Sequence, residues 1–175
     1  YERGVEDYFG ESTGSLDYTA PFTFDRNVHA VSGTFPQMKE EADMVLDFFN
    51  LTIYRESLIE DHLLSPFSIK NYGFYKYTCD SIVGDKAYYT YKPKYNNTQL
   101  VKGSFVLNTR RLVVEEALFD GKYEFMKFTL KVTMGVAGFM AYLPAEYEFK
   151  YHFGFIGNKL DGEYKTVQHY NQVEV

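Results

Sequence analysis

Tryptophan is absent from the chain, and cysteine occurs once, at Cys79. A single thiol cannot close an internal disulfide, and a lone cysteine inside a Tyr/Thr-rich strand pattern reads as a small hydrophobe rather than a reactive group. The redox compartment is left open by this count. No apolar run approaches the ~20 residues that a helix needs to cross a bilayer, and no signal-peptide pattern is present. The sequence starts at Tyr1 without an initiator Met and stops on the strand-like Gln172-Val173-Glu174-Val175. It is therefore expected to be a mature product or a domain excised from something longer.

Catalytic patterns are missing as well. His29, His62, His152 and His169 show none of the short spacings that bring two imidazoles to one metal ion. No strained serine elbow, glycine-rich phosphate loop or phosphate-binding lysine motif occurs. Glu40-Glu41 and Glu115-Glu116 are suggestive carboxylate pairs. Neighbours on a strand point to opposite faces and the first pair falls on the solvent side of a helix, so neither pair reads as a general acid and base. No catalytic residue, metal ligand or cofactor is expected.

Charge is unevenly spread. The net charge is −6, with 13 acidic and 4 basic groups in residues 1–61 (−9) against 11 acidic and 14 basic groups in residues 62–175 (+3). The basic residues of the second part, such as Lys86, Lys92, Lys94 and Lys102, stand singly along strand patterns. That is how solvated strand faces look, and it argues against a nucleic-acid partner.

What the chain does have is aromatic residues, 17 Tyr and 16 Phe, which make up 19% of it. Between Ala145 and Phe155 they occupy every second position, at Tyr147, Phe149, Tyr151, Phe153 and Phe155, which is the period of a strand with one apolar face. From Tyr72 onward eight such segments follow: 72–82, 86–94, 100–108, 111–119, 122–134, 138–143, 145–155 and 160–170. Their connectors, among them Val83-Gly84-Asp85, Asn108-Thr109, Asp120-Gly121 and Gly157-Asn158, tolerate positive φ. Short links predict an up-and-down antiparallel meander.

Ahead of these strands the signals are weaker. Residues 1–17 mix Gly, Ser, Thr and acids without a period and are expected to form a loosely ordered arm, leaving 18–175 as a single domain. Thr19–Phe24 and Asn27–Ser32 are short extended candidates broken by Pro21 and an Asp25-Arg26 turn. Residues 36–46 carry a helix signal, with Thr34 as N-cap, Pro36 in the first turn and Met38, Ala42, Val45 and Leu46 at helical spacing. Residues 45–54 also read as a strand, so a helix is expected to give way to a strand near Asp47.

Several strands carry bulk on both faces, and a flat sheet with one wet aromatic face would forgo roughly 1.5 to 3 kcal/mol per side chain left in water. The expected fold is therefore mainly β with a minor helical part. It is a single strongly curved antiparallel sheet, a half-barrel of meander topology, with one or two short helices on the concave side. The apolar parity shift within Lys122–Met134 predicts a bulge near Met126. Tyr75, Tyr77, Tyr89, Tyr91, Tyr147, Phe149, Tyr151 and Phe153 are the aromatics expected to face inward. They would either pack the sheet or line a cleft for a sugar or lipid, since tyrosine offers a flat apolar body with a polar tip.

The series Leu63-Leu64-Ser65-Pro66-Phe67-Ser68, Tyr72, Phe74-Tyr75-Lys76-Tyr77, Asp80-Ser81-Ile82-Val83, Tyr91-Lys92-Pro93-Lys94 and Lys102-Gly103-Ser104-Phe105-Val106-Leu107 resembles a known pattern. So do Tyr142-Leu143-Pro144 and the stretch Gly157-Asn158-Lys159-Leu160-Asp161-Gly162-Glu163-Tyr164. Over residues 45–170 they resemble the central region of a Bacteroidetes outer-membrane family of unknown function. In that family a carboxypeptidase-regulatory-like sandwich precedes this region and a β-barrel follows it. Leu112 and Tyr142 stand where the family pattern often has tryptophan. The region is similar in outline to lipoprotein-carrier (LolA-like) folds, in which a curved sheet wraps around helices.

The resemblance implies a non-catalytic domain of a larger outer-membrane-associated protein, on the periplasmic side of the cell envelope, that binds or scaffolds other domains or envelope proteins. The alternative it implies is a periplasmic carrier of a lipid or acylated ligand in an aromatic-lined concavity. The two expectations differ in whether the concavity is empty or filled.

Overall fold

The computed structural model describes residues 9–19, 23–33, 48, 51–59, 62–136, 138–155 and 158–170. The chain divides into two compact units, Tyr1–Asn50 and Leu51–Val175.

In the first unit, β1 (Gly10–Thr19) and β2 (Thr23–Gly33) form an antiparallel hairpin. Residues 10–17, expected in a loose arm, are thus the greater part of a strand. β2 also runs straight through the Asp25-Arg26 step, which the sequence pattern makes a turn. Period-2 alternation is the cue for a half-buried strand, and the described side chains of 11–15 and 27–30 are exposed, so the cue was missing. The register shifts between Thr13 and Gly14, where an added Cβ would overlap the Asn27 carbonyl. The helix expected over 36–46 lies outside the described residues.

The second unit is built on a seven-stranded antiparallel meander: β5 (Tyr75–Val83), β6 (Lys86–Pro93), β7 (Lys102–Asn108), β8 (Val113–Tyr123), β9 (Met126–Met134), β10 (Pro144–Phe155) and β11 (Asn158–Val167), paired in that order with β5 and β11 at the edges. Before it, β3 (Ser57–Ile59) and β4 (Leu63–Leu64) make a small sheet of their own. Residues 51–54, assigned to a strand by their alternation, form irregular chain and a turn.

Two of the expected strand boundaries are corrected. The turn placed at Asp120-Gly121 occurs at Glu124-Phe125, with Glu124 at φ 51°, so the parity shift there is a hairpin turn and not a bulge near Met126. Segment 138–143 is a 3-10 turn, Gly138–Tyr142, instead of a strand. A second 3-10 turn, Tyr72–Phe74, leads into β5.

Register explains the packing. Tyr77, Tyr91, Gly103, Phe119, Leu130, Phe149 and Tyr164 are successive cross-strand partners, a single row across all seven strands on one face. In the adjoining rows the glycines again lie under rings. A Cβ on Gly121 would touch the Phe128 ring, and one on Gly162 would overlap the Tyr151 ring. Large beside small lets the rings lean over the backbone, a compact way to fill a twisted sheet.

The opposite face is polar. Lys131–Glu116, Lys150–Glu163 and Lys165–Glu146 pair across strands at 3.1, 3.3 and 2.8 Å. Exposed pairs of this kind add little to stability and serve mainly to keep the face solvated.

Residues 51–59 and 62–71 cover the apolar face and bring their own buried polar groups. Ser65 donates to the Ile53 carbonyl and accepts from the Phe67 amide, and Asn71 Nδ2 donates to the carbonyls of Glu56 and Ser65 at 2.6 and 3.0 Å. Thr52 Oγ1 is buried and finds no hydrogen-bond partner among the described residues. Thr52→Val should therefore raise stability by about 1 kcal/mol, because a desolvated hydroxyl is replaced by a methyl of the same shape. A urea midpoint below that of the wild type would contradict this.

Candidate functional site

All eight aromatics singled out from the sequence lie on the covered face of the sheet, but they divide into two groups. Tyr75, Tyr91, Tyr147 and Phe149 are fully buried, whereas Tyr77, Tyr89, Tyr151 and Phe153 are half-buried. The phenols of the buried group do not face a ligand. Tyr75 Oη donates to the Leu64 carbonyl at 2.7 Å and accepts from the Val101 amide, and Tyr147 Oη donates to the Leu51 carbonyl at 2.8 Å. Tyr91 Oη donates to the Leu118 carbonyl at 2.7 Å, and half-buried Tyr77 reaches the Pro66 carbonyl at 2.6 Å.

Tyr75, Tyr77 and Tyr147 thus fasten Leu64, Pro66 and Leu51, all of the stretch before β5, onto the sheet. Burial pushes the Tyr75 and Tyr77 phenols up to about 12 and that of Tyr91 well above the ordinary value, so they remain protonated donors. The Ser65-Pro66-Phe67 step supplies the plug. Phe67 sits edge-on to Phe105 and Phe119 at 5.1 and 5.8 Å and to Tyr91 at 6.1 Å.

Beside the plug the surface forms an open depression of about 330 Å³, lined by Pro66, Phe67, Ser68, Ile69, Tyr72 and Tyr77. Tyr72 stacks on Tyr77 with centroids 5.9 Å apart and planes within 6°, Lys94 Nζ lies 5.9 Å above the Tyr72 ring, and Ile69 is 92% exposed. Here an aromatic platform meets water, in a place where tyrosines of the sheet can touch a ligand. Sequence reasoning had Tyr77 but not Ile69 or Tyr72, because the periodicity that marks strand faces says nothing about a turn.

A second depression, of about 370 Å³, lies at the β10–β11 edge among Lys150, Tyr151, Asp161, Gly162 and Glu163. Beside it the His152 ring pairs with Asp161 at 2.6 Å. Tyr151 and Tyr164 stack there with planes within 9°.

Three of the histidines have neighbours of their own. His29 meets Ser15, His62 sits edge-on to Tyr123, and His152 pairs with Asp161. Among the described residues no three His, Cys, Asp or Glu side chains are grouped to hold a metal ion. Glu115 and Glu116 have separate partners. Glu116 pairs with Lys131 at 3.1 Å, while Glu115 receives Asn108 at 2.9 Å, Arg111 at 2.8 Å and Lys86 at 3.0 Å. Glu40 and Glu41 lie outside the described residues.

The Asn108, Lys86 and Arg111 donors hold the Glu115 carboxyl down at about 2, against the cost of partial burial. A carboxylate depressed in the folded state contributes stability above the ordinary glutamate range and loses it as pH falls toward that lower value. Wild-type stability should drop in this window, and Glu115→Gln should flatten that part of the profile while lowering stability near neutral pH. Urea unfolding between neutrality and strong acid checks it, and parallel curves for the two proteins would refute it. The sequence did not signal this cluster: a spacing of four brings side chains together on a helix, whereas residues 111–119 read as a strand, and the partnership with Lys86 crosses strands.

Comparison with known proteins adds one finding. Residues 2–171 match the model of a family described as a family of unknown function (DUF5686). No curated protein and no solved structure matches the chain.

Proposed function

This chain belongs to the DUF5686 family of unknown function, and from that premise we propose that it is a non-catalytic binding or scaffolding module of a larger outer-membrane-associated protein, held on the periplasmic side of a Bacteroidetes-type cell envelope. The observation that carries the reading is the way the apolar face is used: the hydroxyls of Tyr75, Tyr77 and Tyr147 tie residues 51–71 over it. A face filled by its own chain suits a module that presents its rim and edges to other proteins. Among the described residues β5 and β11 are the edge strands of the seven-stranded sheet, which is further support, because an edge strand offers a row of backbone groups for strand pairing. The strong curvature of the sheet, short helices on its concave side and the likeness to lipoprotein-carrier folds belong to this same reading.

Cell fractionation with protease accessibility tests it. The protein should follow the envelope, resist protease in intact cells and be cut once the outer membrane is opened. Recovery with soluble cytosolic proteins would overturn the proposal.

The depression at Tyr72 favours a second reading, a carrier that takes a lipid or acylated ligand there. Native mass spectrometry should then show a co-purified lipid that is lost in Tyr72→Ala. A wild-type chain that carries no such mass removes the carrier.

A further inference from the structure

The two edges of the seven-stranded sheet differ in how their charges are met. On β11, Asp161, Glu163 and Lys165 pair with His152, Lys150 and Glu146 of β10. On β5, exposed Lys76 lies directly opposite exposed Lys92 of β6, on the polar face of the sheet. Among the described residues neither lysine takes part in an ion pair. Like charges set opposite one another across strands repel. This edge thus carries positive charge that the described residues leave unanswered.

Its backbone is open as well. The Lys94 amide donates to the Phe74 carbonyl at 2.8 Å, and the ladder continues from there through Lys76 and Thr78 in unbroken register. In an antiparallel ladder, residues that exchange bonds with the neighbouring strand alternate with residues whose N–H and C=O point the other way. Tyr77 and Cys79 therefore turn these groups to the open edge, and outside the sheet no backbone group among the described residues meets them. A bulge between Cys79 and Ser81 interrupts the register, so the stretch suited to pairing ends at Cys79.

The chemistry changes from one face of this edge to the other. Tyr77 points to the covered side, where it lines the depression with Pro66, Ile69 and Tyr72. Lys76, one residue earlier, points to the polar side. Lys94 Nζ, above the Tyr72 ring, adds positive charge at the start of the strand.

We infer that β5 takes an added strand from another protein, an extended segment with acidic side chains on one face and apolar or aromatic side chains on the other. A strand laid along this edge presents its side chains alternately to the two faces. Those on the side of Tyr77 enter the depression at Ile69 and Tyr72. Those on the other side come beside Lys76, where a carboxylate offsets the repulsion from Lys92. The pairing of backbone groups holds the segment, and the alternation of charge and bulk selects it.

The inference deepens the binding-module reading and rests on it, yet the two fail separately. Peptide binding by the purified chain tests the edge, whereas fractionation tests the module.

The probe is a fluorescein-labelled peptide of ten residues in which Glu alternates with Val and Tyr. Its anisotropy should rise saturably with the wild-type chain, and the same peptide with Lys in place of Glu should bind roughly tenfold more weakly. Lys76→Glu combined with Lys92→Glu should invert that preference. Two N-methylated forms of the peptide, one methylated at the acidic positions and one at the apolar positions, leave the protein unchanged. One should lose binding and the other keep it, because only alternate amides face the edge. Bound peptide should also slow alkylation of Cys79, the single and exposed thiol of the chain. A Glu peptide that does not bind, a double variant that keeps the wild-type preference, equal effects of the two methylations, or an alkylation rate unchanged by saturating peptide would each overturn the assignment. Oleate that binds the chain where the peptide does not would overturn it in favour of a lipid ligand.

Discussion

Phe119→Ala is expected to cost about 3 to 5 kcal/mol, a large part of the 5 to 15 kcal/mol that holds a typical domain together. Phe119 is 0% exposed on the central strand β8, flanked across the sheet by Gly103 and Leu130. The rings of Phe67 and Tyr91 meet it at 5.8 and 6.4 Å. The cavity closes poorly: Gly103 has no side chain to move in, and the Phe67 backbone above it is held by the Ser65 hydroxyl. The lost burial and the residual void therefore add. Urea unfolding reads the change, and a loss below about 1 kcal/mol would mean that the plug relaxes freely and that the aromatic face is loosely packed. The variant should also open the depression beside Phe67, so lipid found on the variant but not on the wild type would indicate that only the plug keeps the face closed.

Gly103→Ala should be nearly as damaging although it adds only a methyl. The Tyr91 ring crosses over Gly103 on its way to the Leu118 carbonyl, and an added Cβ would overlap that carbonyl oxygen and lie 2.9 Å from the Tyr91 hydroxyl. The carbonyl is backbone in a paired strand and cannot swing aside. Either β7 and β8 separate locally or the Tyr91 bond to Leu118 breaks, leaving a buried phenol without its acceptor. Overpacking and the lost bond together suggest about 2 to 4 kcal/mol. Gly73→Ala is the matched control, because a Cβ there meets open space, and it should shift the urea midpoint little. Equal effects at the two glycines would refute the steric account.

The same glycine shows how far the sequence could be read. The Lys102-Gly103-Ser104-Phe105 strand was legible as one member of a meander, and its resemblance to a family pattern flagged the glycine. Its reason, a tyrosine ring leaning over it from the strand on one side toward a carbonyl of the strand on the other, exists only once three strands are in register. Gly138–Tyr142 failed as a strand because a short apolar run has the same composition whether it pairs or turns. β1 was missed for the opposite cause. Its described side chains are almost all exposed, so nothing in their pattern separates strand from loop.

The candidate site divides in the same manner. That Tyr75, Tyr77, Tyr91 and Tyr147 belong to one face follows from strand period alone. Whether that face holds a ligand or its own chain could not be read, because the answer lies in the stretch just before β5, where the alternation at 45–54 points to a strand that residues 51–54 do not form.

By itself, then, the amino-acid order determined an antiparallel β class, the meander, the inward-facing aromatics and the lack of any familiar catalytic motif, since these depend on local period, turn chemistry and spacing. Tertiary structure decided that phenols meet carbonyls of the stretch before β5, that glycines lie beneath rings, and that the turns at one end of the sheet are tied to one another by polar contacts. Those outcomes rest on contacts between residues far apart in sequence, and strand register, which no single segment encodes, brings them together.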